Sequence, residues 1–146
     1  MRVAVSACLL GRRCKYNGGS NENARLIELI AATGHEVVPV CPEVAGGLPT
    51  PRPRSEIRGG AVVDEFGASV DAAFRAGAAR ELARIREGGP LDAAILQPRS
   101  PSCGVGEVYD GTFSGVLVPG DGVFAALLRA EGVACYTPEA FIASFA

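Results

Sequence analysis

Three cysteines stand just beyond apolar runs. Val3-Ala4-Val5 leads through Ser6-Ala7 to Cys8, and Val37-Val38-Pro39-Val40 leads directly to Cys41. Ala93-Ala94-Ile95-Leu96 leads into Arg99-Ser100-Pro101-Ser102-Cys103-Gly104-Val105-Gly106. Each run reads as a buried strand and each sequel as a polar turn. If the strands are parallel neighbours, their carboxyl ends share one sheet edge, and residues just past them converge on a crevice there. Three thiolates meeting in that crevice would bind a metal centre and leave a fourth coordination position open, as sites that do chemistry do. Thiolates suit zinc, copper(I) and iron–sulfur clusters, and spacing does not choose among them. The bland alternative is three small buried hydrophobes; the polar turns weigh against it.

Other reactive side chains lie in the same loops. Glu43 is two residues past Cys41, so an extended segment would turn both side chains the same way. A carboxylate beside an open metal position can act as general base on water. Ser100 and Ser102 flank Pro101; turn serines usually bond their own backbone, and near a metal-bound substrate they can also relay a proton. Arg12, Arg13, Lys15, Arg52, Arg54, Arg58 and Arg99 make up seven of the 14 basic residues. A cationic rim of this kind keeps thiolates ionised and attracts anions. Cys14 shares a loop with Cys8 and is a fourth ligand, a reserve thiol or a structural residue. Cys135 sits inside an apolar strand and reads as core. His35 opens a strand at the end opposite the cysteines and has no catalytic role.

The elements that must position these groups alternate. Strands are expected at Arg2–Ser6, His35–Val40, Leu91–Gln97 and Val133–Tyr136. A first helix is capped by Ser20 or Asn21 and stopped by Gly34. A second is capped by Ser69, with Val70, Phe74, Gly77, Ala78, Leu82 and Ile85 on one stripe. A third is capped by Asp121, and a last one is opened by Thr137-Pro138. Residues 41 to 60 read as a long rigid loop, Ala61–Asp64 as a short hairpin strand, and Glu107–Leu117 as a hairpin around Asp110-Gly111. The class is α/β: a single domain over residues 1–146, with a mostly parallel sheet of about four to five strands, helices on both faces and cysteines at the carboxyl ends of strands.

Bulk properties narrow the function. The length of 146 residues suits one domain with a real core, and 48% apolar content argues against disorder. The net charge of 14 − 16 = −2 makes large RNA an unlikely partner. No apolar run approaches a membrane span, and Met1-Arg2-Val3-Ala4-Val5 enters a strand pattern without a signal-peptide cleavage region. A cytoplasmic location is therefore expected. There, five cysteines, an odd number, point to metal binding or catalysis and not to a paired disulfide framework.

Four motifs in order carry a family resemblance: Val5-Ser6-Ala7-Cys8-Leu9-Leu10-Gly11; Cys41-Pro42-Glu43 with Gly46-Gly47-Leu48-Pro49-Thr50-Pro51-Arg52; Ser100-Pro101-Ser102-Cys103-Gly104; and Asp110-Gly111-Thr112-Phe113-Ser114-Gly115. The chain resembles the 2-thiouracil desulfidase family over nearly its whole length. The resemblance implies a [4Fe-4S] cluster held by Cys8, Cys41 and Cys103, with one open iron position for the sulfur of a small thiolated base or nucleoside. It implies conversion of C=S to C=O without net redox, assisted by Glu43 and Ser100. Two positions depart from the family pattern and are expected to bear on the pocket: Gln97, often lysine, and Phe124, often a small polar residue. The rivals are a zinc-dependent nucleobase hydrolase with Glu43 as base and a non-enzymatic iron–sulfur module. The zinc-deaminase pattern lacks its second cysteine here, because Gly106 stands three residues beyond Cys103.

Overall fold

The computed structural model describes all residues, Met1–Ala146. Four strands form one sheet: β1 (Arg2–Ser6), β2 (Glu36–Val40), β5 (Ala93–Ile95) and β8 (Ala134–Tyr136). The order is β2-β1-β5-β8, and every pair is parallel. Strand residues alternate between two cores, as the two-residue strand period requires. Val3, Val5, Ala93 and Ile95 face one side; there they meet Leu26 and Ile30 of helix α1 (Ala24–Thr33) and Phe141 of α5 (Pro138–Phe145). Ala4 and Ala94 face the other side; there they meet Ala78, Leu82 and Ile85 of α3 (Asp71–Glu87) and Phe124, Ala125 and Leu128 of α4 (Val123–Ala130). The fold is therefore α/β with helices on both faces of a parallel sheet.

The connection from β1 to β2 moves one way along the sheet, and the connection from β2 to β5 crosses back over β1. The order reverses between β1 and β5, and in such sheets the crevice outside the carboxyl ends at that point is the usual ligand site. Two antiparallel ribbons stand beside it: β3 (Ser55–Arg58) with β4 (Ala61–Asp64), and β6 (Glu107–Tyr109) with β7 (Leu117–Pro119). The long irregular segment expected at 41–60 is thus shorter, because it contains the one-turn helix α2 (Pro42–Ala45) and strand β3. Ala61–Asp64 is the second arm of that hairpin.

Three helix starts differ from the sequence expectation. Asn23 caps α1, its side chain accepting from the Leu26 amide at 3.0 Å, and neither Ser20 nor Asn21 does so. α3 has no side-chain cap at Val70 or Ser69; the Asp71 carboxylate accepts from the Val62 amide at 3.0 Å and ties the helix to β4. α4 needs no Asp121 cap. Its first amides, on Val123 and Phe124, donate to the carbonyls of Pro101 and Ser102, each at 2.8 Å. The orphan donors of the helix start thus anchor the cysteine turn. Thr137 does cap α5, accepting from the Ala140 amide at 3.1 Å with Pro138 at the first position.

Helix α2 lies backbone to backbone on α3. A Cβ placed on Gly77 would sit 1.8 Å from the Pro42 carbonyl oxygen, and one on Gly46 would sit 2.1 Å from that of Ala73. The small residue in the α3 stripe is what lets α2 approach. Gly77→Ala is expected to destabilise the protein by about 3 kcal/mol, at the upper end of overpacking costs. Urea denaturation measures it; a loss below about 0.5 kcal/mol would contradict the close contact.

Candidate functional site

A cavity of about 470 Å³ opens at the carboxyl edge of the sheet. Cys8, Cys41, Cys103, Glu43 and Ser100 all line it, as do Cys14, Ser102, Arg52 and Gln97. Each arrives by a short route. Cys8 follows β1 in a one-turn 3-10 helix, Ala7–Leu10. Cys41 precedes α2, and its backbone amide donates to the buried Glu81 carboxylate of α3 at 3.0 Å. Cys103 closes the turn anchored by α4. Ahead of that turn, Arg99 takes a left-handed backbone conformation, φ 65°, which costs a non-glycine residue about 1–2 kcal/mol. A bridge between Arg99 and Val108 holds it there.

None of the five cysteines is in a disulfide. Each of the three sulfurs at the strand ends has a polar neighbour. The Asn21 side-chain amide donates to Cys8 Sγ at 3.8 Å. Cys14 lies beside Cys41 and Ser6 beside Cys103, each near enough to affect the thiol's ionisation, and Ser102 Oγ lies 3.6 Å from Cys103 Sγ. Burial raises the pKa of Cys8, and it pushes Cys103 from 9.0 up to about 12. The interaction between the neighbouring Cys41 and Cys14 thiols raises Cys41 and lowers Cys14; the nearby Arg52 also favours the Cys14 thiolate. Iron or zinc must therefore displace protons from buried thiols.

These shifts predict a pH dependence for protein prepared without metal. A raised thiol pKa means that the folded state keeps a proton the unfolded chain releases. That contribution is fully present below pH 9 and is lost as pH rises through the folded value. Cys8, Cys41, Cys103 and Cys135 are raised, and only Cys14 opposes them. The urea midpoint is expected to fall as pH rises from about 9 to about 11. A flat or rising midpoint would contradict it.

Glu43 is held from two sides. Arg52 Nε donates to Oε1 at 3.1 Å, and Ser102 Oγ donates to Oε2 at 2.7 Å. The Arg52 side chain is 5% exposed and Glu43's is 16%. Arg52 also donates to the carbonyls of Cys14 at 2.8 Å and Pro49 at 3.2 Å, so one guanidinium ties the Cys14 loop to the Glu43 segment. Removing it takes the only cation from the Glu43 carboxylate, which keeps Ser102, and a donor from each of two carbonyls. Arg52→Ala is expected to cost about 3 kcal/mol in stability, where a surface pair would cost under about 1. Arg52→Lys should recover only part, because a lysine has no planar fork.

Sequence reasoning singled out the three strand-end cysteines and Glu43 from residue type and position and Ser100 from the family resemblance, and all five line the cavity. It placed Arg52 only on a general cationic rim. Of that rim, Lys15, Arg52, Arg54 and Arg99 line the cavity, Arg12 and Arg13 are exposed outside it, and Arg58 binds the Gly111 carbonyl. Ser6, Asn21 and Glu81 were missed. Their signal exists only in three dimensions, since Glu81 reaches Cys41 across 40 residues. Phe124, expected to bear on the pocket, is fully buried in the α4 core and does not line the cavity; Gln97 does. Cys135 packs half-buried against the same core, as expected. His35 meets the amino terminus, away from the cavity.

A parallel α/β fold with three thiols, a braced carboxylate and a serine pair at one sheet edge is the framework of a metal-centre enzyme. The family model for 2-thiouracil desulfurase matches residues 3–140, and the chain belongs to that family. The uncharacterized protein YbbK of Bacillus subtilis (strain 168) is 39% identical over 140 residues, covering 89% of this chain and 91% of YbbK. A solved structure of a [4Fe-4S]-dependent thiouracil desulfidase, TudS, superposes with a TM-score of 0.86 at 41% identity. That match covers 98% of this chain and 97% of the other.

Proposed function

We propose that this chain is an iron–sulfur-dependent desulfidase that replaces the sulfur of a small thiolated base by oxygen. The net reaction is hydrolysis, C=S plus water giving C=O plus hydrogen sulfide, with no redox change. One observation carries the reading: three thiols from three strand ends share a cavity with a carboxylate braced by Arg52 and Ser102. The likeness to TudS over nearly the whole chain supports it.

The donor set, three thiols on one cavity, is of the kind that holds iron–sulfur clusters. No three Cys, His, Asp or Glu side chains stand close enough together to hold one metal ion. A cluster spreads its thiolates, because each binds a different iron. Cys8, Cys41 and Cys103 would hold a [4Fe-4S] cluster, which when bound supplies a Lewis-acidic iron without a protein ligand. Glu43 takes the proton of the attacking water. Arg52 keeps the carboxylate aimed by engaging Oε1, and both carboxylate oxygens retain a lone pair for water. Ser100 handles a proton at the cavity wall. The thiol of Cys14, beside Cys41, serves as a neighbour of that ligand and not as a fourth one.

The cavity volume suits a base or nucleoside. The acidic total charge disfavours large RNA. No helix is long and apolar enough to cross a membrane. The test is sulfide release from 2-thiouracil, 4-thiouracil and their nucleosides by protein purified without oxygen. Stoichiometric sulfide and the oxo base from at least one of them is expected; none from any would overturn the reading.

A further inference from the structure

Two carboxylates line the cavity, and only Glu43 has a role there so far. The other belongs to Glu56, in β3, which is only 7% exposed. A carboxylate so covered needs partners to offset its lost hydration. Glu56 finds them for one oxygen alone. Oε1 accepts from the backbone amides of Gly111 and Phe113 at 3.0 and 3.1 Å. Those two bonds occupy both of its lone pairs.

Oε2 has no partner in the protein. The two arginines nearest in the strand are engaged elsewhere. Arg54 pairs with Glu65, and Arg58 donates from Nε and Nη2 to the Gly111 carbonyl at 2.9 and 2.6 Å. Nor is Oε2 sealed in, since the buried side-chain atoms left without a partner are Arg2 Nε and Gln97 Oε1. The space it faces is the cavity, because the second pocket that Glu56 borders, with Ile57 and Val108, has no room for a water molecule. One oxygen of Glu56 thus holds the 110–113 loop, and the other offers two free lone pairs and a share of a negative charge to what fills the cavity.

Such a group calls for a donor. A metal cation is disfavoured, because Lys15, Arg52, Arg54 and Arg99 line the same walls and repel it. A thiouracil supplies the donor itself, since its C=S carbon is bonded to a ring nitrogen that carries hydrogen. A ring N–H on a carboxylate makes a charge-assisted bond, stronger than a neutral one. We propose that Glu56 Oε2 accepts a ring N–H of the thiolated base and so selects bases that carry that hydrogen. The inference rests on the desulfidase reading above and adds to it a specificity-determining residue. A base without the N–H leaves a buried acceptor unpaired, and that is what rejects it.

The test crosses Glu56→Gln with methylation of the substrate nitrogens, on the iron-loaded protein. The substrates are the thiouracil turned over best and its mono-N-methyl derivatives. Glutamine keeps an oxygen for the two loop amides, which turns its NH2 group to where Oε2 stood, so that a donor meets a donor. Wild type is expected to lose about 100-fold in kcat/KM on at least one methyl derivative. Glu56→Gln should lose about 100-fold on the unmethylated base, chiefly through KM, and far less on that derivative, so that the ratio between the two falls below about tenfold. Iron, acid-labile sulfide and the urea midpoint should match wild type. Calorimetry gives a readout apart from turnover: the oxo product should bind wild type at least about tenfold more tightly than it binds Glu56→Gln. Equal binding would overturn the proposal. Equal wild-type turnover of the base and all its methyl derivatives would overturn it too, with no variant needed. So would an equal loss on every substrate in Glu56→Gln, the mark of a residue that only holds the loop. A wild type that releases sulfide from no thiolated base would overturn the desulfidase reading, and the inference with it.

Discussion

Replacing Glu43 by glutamine is expected to lower kcat by about 100- to 10,000-fold while leaving iron and sulfide content unchanged. Glutamine keeps the size of the side chain and an oxygen that can accept from Ser102 or Arg52. It cannot take a proton. If Glu43 only braced the loop, the amide would substitute with little loss. The bonds at 3.1 Å to Arg52 and 2.7 Å to Ser102 leave the carboxylate little freedom to be replaced by water or by another acid. No other carboxylate bonds to the serine pair, so loss of the base has no local rescue. Burst and steady-state sulfide release separate the chemical step from product release. A Glu43→Gln variant within about threefold of wild type would remove the general-base role.

Alanine at Cys8, Cys41 or Cys103 is expected to abolish both the visible iron–sulfur absorption and turnover, whereas Cys14→Ala and Cys135→Ala keep both. The contrast between Cys41 and Cys14 is the sharp one, because the two thiols are neighbours that affect each other's ionisation. Cys14 is the more readily ionised of the pair and on that ground alone would make the better ligand. Its position argues otherwise. It arrives on a loop whose carbonyl is tied to Arg52, not from a strand end, and it lies beside the Cys41 sulfur. Outer-shell partners of ligands usually matter by factors of about 10 to 100 in affinity and not absolutely. Cys14→Ala should therefore bind its iron more weakly or lose it faster in air. Complete loss of iron in Cys14→Ala, with Cys41→Ala still loaded, would exchange their roles.

Much of this framework was legible in one sequence because it rests on local patterns. Apolar runs of strand length, each followed by a polar cysteine turn, report a parallel sheet edge. The α3 stripe from Phe74 to Ile85 reports a helix face, and all five stripe residues within the helix are buried. What was not legible depends on contacts between distant segments. Asp121 looks like a cap, yet its carboxylate accepts from the Gly106 amide at 2.8 Å, and the α4 start is satisfied by carbonyls of the cysteine turn. Asn21 looks like a cap and instead reaches Cys8 Sγ. Ser55–Arg58 hides among prolines and charges, and it becomes a strand only because Ala61–Asp64 pairs with it. Glu56 within it is a buried acid that accepts from the amides of Gly111 and Phe113 at 3.0 and 3.1 Å, and so fixes the loop of the fourth motif. Polar side chains serving a remote backbone leave no periodic trace.

The most direct test of the central claim is the iron, acid-labile sulfide and zinc content of the wild-type protein purified without oxygen, together with its visible spectrum. About four irons and four sulfides per chain are expected, with broad thiolate-to-iron absorption. About one zinc per chain, with no sulfide and no iron taken up on reconstitution, would contradict the account and make Cys8, Cys41 and Cys103 the ligands of a zinc hydrolase.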